Sequence, residues 1–119
     1  MAKKMVTFCG SDEPQKAFPP FMLGVGALAM DMEVMFFFTM NGLNIVRKGG
    51  AEKIILNNAP KSLPEFIKIL QEGDAMMVAY SAAFPIVGCK EEDLIEGVEC
   101  GGVATFVDEA EGADIVLTF

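Results

Sequence analysis

The chain has 119 residues, which is the size of one domain with a single hydrophobic core. Its net charge is −8, so nucleic acid and anionic membrane are excluded as expected partners, because both require a basic face. It contains no histidine, which removes the usual general base and a common metal ligand. Hydrophobic residues make up 52% of the sequence, and we expect a homo-oligomer to bury this apolar excess.

The three cysteines are Cys9, Cys89 and Cys100. Their number is odd and no two have CxxC spacing, so the pattern predicts free thiols in a reducing cytoplasm. Scattered cysteines without histidine make a poor metal site, and we expect neither a metal nor another cofactor.

Two apolar stretches do not predict membrane or export segments. The run from Phe18 to Val46 is interrupted by Asp31 and Glu33, so no piece reaches the ~20 residues of a membrane helix. The run from Met5 to Cys9 is too short for the apolar part of a signal peptide. Both observations favour a cytoplasmic location.

Apolar runs and helix signals alternate along the chain. Strands are predicted at Met5–Cys9, Glu33–Thr39, Ala75–Ser81, Gly97–Cys100 and Asp114–Phe119. Helices are predicted from Pro14 to about Met30, from Ser62 to Gly73, in a short turn ended by Gly88, in the acidic stretch Glu91–Ile95, and at Val103–Glu111. This alternation predicts an α/β domain over residues 1–119, with a mostly parallel five-stranded sheet and helices on both faces.

Helix starts carry their own signals. Ser62 and Glu65 have the spacing of a capping box, in which each side chain accepts a hydrogen bond from the other residue's main chain. Ser11 or Asp12 is expected to cap the helix that begins at Pro14.

Several segments together resemble the DsrE/DsrF-like family, which includes small sulfur-relay proteins. The similarity lies in Ala17–Phe21, Met32–Val34, Phe36–Leu43, Gly88–Ile95 and Gly97–Ala104. The resemblance implies a flavodoxin-like sheet and assembly into dimers, trimers or hexamers. It also implies a protein partner in sulfur relay. Tyr80 occupies the position where the relay members carry their sulfur-binding cysteine, and a phenol cannot hold sulfane sulfur.

A flavodoxin-like strand order of 2-1-3-4-5 would place strands one and three beside each other, at the point where ligands bind in such sheets. We therefore expect a pocket formed by Cys9, Gly10, Ser11, Thr39, Asn41, Tyr80 and Ser81. The pocket would hold a thiol, a phenol and main-chain donors suited to an anion. The alternative is that Cys9 is a small buried hydrophobic residue and Tyr80 a core aromatic residue.

Cys100 forms a second candidate thiol site with Gly101 and Gly102, because a helix begins directly after them and a helix start can lower a thiol pKa. We expect reactivity to be highest at Cys9, lower at Cys100 and lowest at Cys89. Three functions remain open: a non-enzymatic sulfur-handling or accessory protein, a module that binds a small anion, and a structural subunit of an assembly.

Overall fold

Five parallel strands form the sheet in this computed structural model, which describes residues 2–119. The strands are β1 (Lys4–Cys9), β2 (Glu33–Phe38), β3 (Met76–Tyr80), β4 (Val98–Gly101) and β5 (Ile115–Thr118). The helices are α1 (Pro14–Ala29), α2 (Leu63–Glu72), α3 (Phe84–Val87) and α4 (Val103–Glu111). The predicted α/β class with a five-stranded parallel sheet is confirmed.

The strand order is 4-3-2-1-5, so the expected order 2-1-3-4-5 is wrong. The chain moves in one direction across the sheet from β1 to β4 and then returns past β1 to place β5 at the other edge. Crossovers between parallel strands are right-handed, so connections that advance in one direction lie on one face. The return from β4 to β5 runs in the opposite direction, and α4 therefore covers the other face.

The two faces are consequently covered to different depths. One face carries α1, α2 and α3, and it contributes most of the buried core, including Phe36 and Phe38. The other face carries α4, and its buried centre consists of only Val6, Met35, Phe37 and Val78. Helices on both faces are confirmed, but one helix covers the second face.

The predicted capping box is present at the start of α2. The Ser62 hydroxyl accepts a hydrogen bond from the Glu65 N–H at 3.3 Å, and the Glu65 carboxylate accepts one from the Ser62 N–H at 3.4 Å. The expectation for α1 is wrong, because Glu13 precedes the helix and no side chain caps it. The Ser11 hydroxyl instead accepts a hydrogen bond from the Glu13 N–H at 3.1 Å, and the Asp12 carboxylate accepts one from the Asn44 side-chain amide at 2.9 Å.

Within residues 2–119, no helix has the length and apolar character needed to cross a membrane.

Gly42 fixes the approach of the β2–α2 connection to β1. Its N–H donates to the Thr39 carbonyl at 2.8 Å, and the Thr39 N–H donates to the Cys9 carbonyl at 3.0 Å. A Cβ atom at position 42 would overlap the carbonyl group of Cys9, which ends a strand paired on both sides, with β2 and with β5, and cannot easily move. Only glycine allows this contact between the two main chains.

We expect Gly42→Ala to lower the free energy of unfolding by about 1–3 kcal/mol, the usual cost of overpacking. The matched control is Gly26→Ala in α1, where nothing lies within 4 Å of the added methyl group. The control should raise the free energy of unfolding by up to about 1 kcal/mol, because alanine favours helix. Urea unfolding followed by circular dichroism measures both. Equal stability of the two variants would contradict the assignment.

Candidate functional site

The side chains of Cys9 and Tyr80 lie on opposite faces of the sheet. Side chains alternate along a strand, and Cys9 packs in the core beneath α1 and α2, together with Phe38. Tyr80 follows the buried Val78 on the other face, and its ring centre lies 5.7 Å from that of Phe37. β2 also separates the two strands. The thiol and the phenol therefore do not meet in one cavity.

The other residues of the predicted pocket are spread along the carboxyl edge of the sheet. The Gly10 N–H donates to the Phe119 carbonyl at 2.9 Å, which ties the end of β1 to the end of the chain. Thr39 is buried, whereas Asn41 and Ser81 are exposed at the starts of separate 3₁₀ turns. The structure places these residues near strand ends, as expected, but their role in ligand binding stays a prediction.

The three thiols differ in exposure and in pKa. Cys9 is 1% exposed, and burial raises its pKa far above the ordinary value of a thiol. Cys89 is also buried, and its sulfur lies 3.5 Å from the Lys90 carbonyl oxygen. Desolvation raises the pKa of Cys89, while the Arg47 guanidinium acts against this increase. A reactive thiol must be accessible to solvent and partly ionised, and the Cys9 thiol is neither. The expectation that Cys9 is the most reactive of the three cysteines is therefore not supported.

Cys100 is the exposed thiol of the three. It lies on β4 at the edge of the sheet, paired with Ala79 of β3. Gly101 ends the strand, and Gly102 precedes α4 without any side-chain cap. Partial desolvation of the sulfur raises the pKa of Cys100 most, and the Glu91 carboxylate and the Cys89 thiol raise it further. The thiol is accessible, but little of it is ionised at neutral pH.

Arg47 joins three segments that follow different strands. Its guanidinium donates to the Asn44 side-chain oxygen at 3.1 Å and to the carbonyls of Val87 and Gly88 at 3.2 and 2.9 Å. Asn44 in turn donates to the Asp12 carboxylate at 2.9 Å. The chain of contacts runs from the loop after β1, through the turn after β2, to the end of α3.

Arg47 is not among the predicted site residues, although the sequence contains a signal for it. Arg47, Lys48 and Lys53 supply three of the nine lysines and arginines within seven positions of an acidic chain, shortly after a buried strand. Basic residues concentrated after a parallel strand indicate a charged carboxyl edge.

The sequence of this chain matches a known protein family. A family model described as "DsrE/DsrF/DrsH-like family" matches residues 1–61 and 51–118, which together span almost the whole chain. The chain belongs to the DsrE/DsrF/DrsH-like family. The resemblance inferred from the sequence segments is thereby confirmed.

Individual relatives agree with this membership. The chain is 26% identical to the uncharacterized protein YrkE of Bacillus subtilis, over 90% of this chain and 91% of that protein. It is 24% identical to the sulfur carrier protein DsrE2 of Allochromatium vinosum, over 97% of each. Among solved structures, the ychN protein of E. coli superposes with a TM-score of 0.78 at 17% identity, over the full length of both chains. At that identity the likeness shows the fold alone.

In this DsrE/DsrF/DrsH-like chain, Tyr80 stands at the end of β3, half-buried against Phe37. No thiol follows β3 until Cys89, which is buried. The cysteine whose thiol is accessible at the surface is therefore Cys100 on β4, and β3 carries none.

We expect limiting iodoacetamide to modify Cys100 in the native protein, because alkylation requires an accessible thiolate. Cys89 and Cys9 should remain unmodified until urea unfolds the chain. Peptide mass analysis at several pH values from neutral to alkaline measures the order. Native modification of Cys9 at the rate of Cys100 would show that burial does not control reactivity.

A charge variant tests the environment of Cys100. Glu91→Gln removes a carboxylate that raises the pKa of this thiol, so the alkylation rate near neutral pH should increase by about two- to threefold. Glu92→Gln is the matched control, since it makes the same change in net charge at the neighbouring position. An identical increase in both variants would mean that only the overall charge matters.

Proposed function

We propose that this protein is a DsrE-type sulfur-handling accessory protein that carries sulfane sulfur on Cys100 and is not itself an enzyme. Its family and its relative named as a sulfur carrier support the class of function. The observation that carries the choice of residue is that Cys100 is exposed, whereas Cys9 and Cys89 are buried. Three free thiols suit the reducing cytoplasm in which we expect the protein.

The transfer needs no oxidant or reductant. The Cys100 thiolate attacks the outer sulfur of a donor persulfide and forms a new S–S bond. The donor's S–S bond breaks, and its inner sulfur leaves as a thiolate that takes up a proton. Cys100 then carries the persulfide, and the reverse reaction delivers the outer sulfur to an acceptor thiol.

The local charge indicates what kind of donor fits. Partial desolvation raises the pKa of Cys100 above that of an ordinary thiol, and the Glu91 carboxylate raises it further, so the thiol is protonated at rest. A donor surface that places a positive charge beside Glu91 would lower that pKa and produce the nucleophile on contact. The partner in sulfur relay is therefore a protein with a basic docking surface, which also complements the net charge of −8.

Incubation with glutathione persulfide should add one sulfur atom to the native protein, and mass analysis should locate it on Cys100. Cys100→Ser should abolish the addition, because the hydroxyl cannot form a persulfide. Cys89→Ala is the control and should retain it. Loading of the Cys100→Ser protein to the extent of the wild type would reject Cys100 as the carrier.

We also propose that the protein is a homo-oligomer that uses the thinly covered α4 face. Val103 and Val107 of α4 are each 55% exposed, and Val116 of β5, on the same face of the sheet, is 46% exposed. These side chains surround a face whose buried centre has only four residues. A second copy packed there would remove apolar surface from water, at about 25 cal/mol per Å².

Sedimentation at micromolar concentration should give a multiple of 12.8 kDa. Val103→Glu combined with Val107→Glu should shift the protein to the monomer, because the added carboxylates would have to be buried. The matched control is Met30→Glu with Ile86→Glu, two exposed apolar residues outside the α4 face. A monomeric wild type would refute the assembly, and dissociation of the control alone would refute the choice of face.

A further inference from the structure

A cavity of about 670 Å³ lies beside the carboxyl ends of β1 and β2. Asp12 and Glu13 from the β1–α1 loop line one part of it, and Asn44, Arg47, Lys48 and Lys53 line the other. Its volume falls in the ~300–1,000 Å³ range of small-molecule sites. None of the residues of the predicted pocket lines it, and neither does Cys100.

The wall of the cavity is held in place by the Arg47 contacts. Asn44 bridges Asp12 and Arg47 through hydrogen bonds of 2.9 and 3.1 Å. The Arg47 guanidinium also donates to the main-chain carbonyls of Val87 and Gly88. The Gly50 N–H donates to the Arg47 carbonyl at 2.9 Å, which closes the turn behind it. A polar wall with this many fixed contacts is preorganised, so a ligand would not have to order it on binding.

The charges in the cavity are unevenly compensated. Within residues 2–119 the ion pairs are Lys4–Glu109, Lys16–Glu13 and Arg47–Asp93. Lys48 and Lys53 therefore have no carboxylate within 4.0 Å in that part of the chain. Lys48 donates to the Glu92 carbonyl at 2.9 Å and keeps its full charge. These two ammonium groups give the cavity a local positive charge that attracts an anion, although the chain as a whole has a net charge of −8.

The acidic side of the cavity narrows the choice of anion. Asp12 and Glu13 would repel a ligand that is negatively charged all round, but carboxylates accept hydrogen bonds from hydroxyl groups. The start of α1 at Pro14 adds the positive end of a 16-residue helix dipole to the same cavity. The site thus combines cations for one anionic group with acceptors for neutral donors.

We propose that this cavity binds a small phosphate ester of a polyhydroxylated carbon skeleton, such as a sugar phosphate. Lys48 and Lys53 face the phosphate, and Asp12 and Glu13 accept hydrogen bonds from the hydroxyl groups. Arg47 does not need to touch the ligand, since it positions Asn44 and Asp12. The proposal is independent of sulfur carriage on Cys100, which lies outside the cavity.

Calorimetric titration of the full chain with ribose 5-phosphate should show binding at submillimolar concentration. Ribose and inorganic phosphate, titrated separately, should each bind at least about tenfold more weakly, because each lacks half of the contacts. Lys48→Gln combined with Lys53→Gln should weaken binding of ribose 5-phosphate by about tenfold or more. Cys100→Ser should leave it unchanged.

The matched control is Lys3→Gln with Lys68→Gln, which removes the same charge from two exposed positions outside the cavity. It should change the affinity by less than about twofold, since exposed charges at a distance are screened. No binding of ribose 5-phosphate at millimolar concentration would overturn the proposal. Equal weakening by both double variants, or inorganic phosphate binding as tightly as the ester, would also overturn it.

Discussion

The structure depends on the burial of β2 on both faces of the sheet. Phe36 and Phe38 stack with Phe21 of α1 on one face, with ring centres 5.0 and 6.1 Å from it. Phe37 lies between Phe8, Tyr80 and Phe106 on the other face. A strand that is apolar and buried from Val34 to Phe38 can pair only inside a sheet covered on both sides, so the helices must be divided between the two faces.

That division is unequal because of the handedness of the crossovers. Three successive connections advance from β1 to β4 and lie on one face, and only the return to β5 crosses the other. The second face therefore has a shallow core beneath α4, and apolar residues at its margin remain exposed. Val103, Val107 and Val116 remain exposed on this face, and the second copy of the chain that we propose would cover them.

The alternation of side chains along the strands determines which face of the sheet Cys9 and Tyr80 occupy. Cys9 and Tyr80 both lie at the carboxyl ends of their strands, yet the Cys9 side chain faces α1 and the Tyr80 side chain faces α4. The thiol of Cys9 on the interior strand β1 is buried and neutral, and the thiol of Cys100 on the edge strand β4 is exposed. The sulfur carriage that we propose for Cys100 would therefore use the edge strand β4, which lies beside the strand β3 that Tyr80 ends. The polar carboxyl edge is organised separately, by Arg47 and its neighbours.

Local signals in the sequence determined much of the secondary structure. Ser62 and Glu65 form their capping box, Gly88 adopts the left-handed conformation that ends α3, and α4 spans Val103–Glu111 as expected, because each signal acts within a few residues. The strand order, the opposite directions of Cys9 and Tyr80, and the contact of Arg47 with Asn44 and Gly88 were decided only by the tertiary structure. Each of these depends on which strands become neighbours, and pairing between residues far apart in the chain leaves no local pattern.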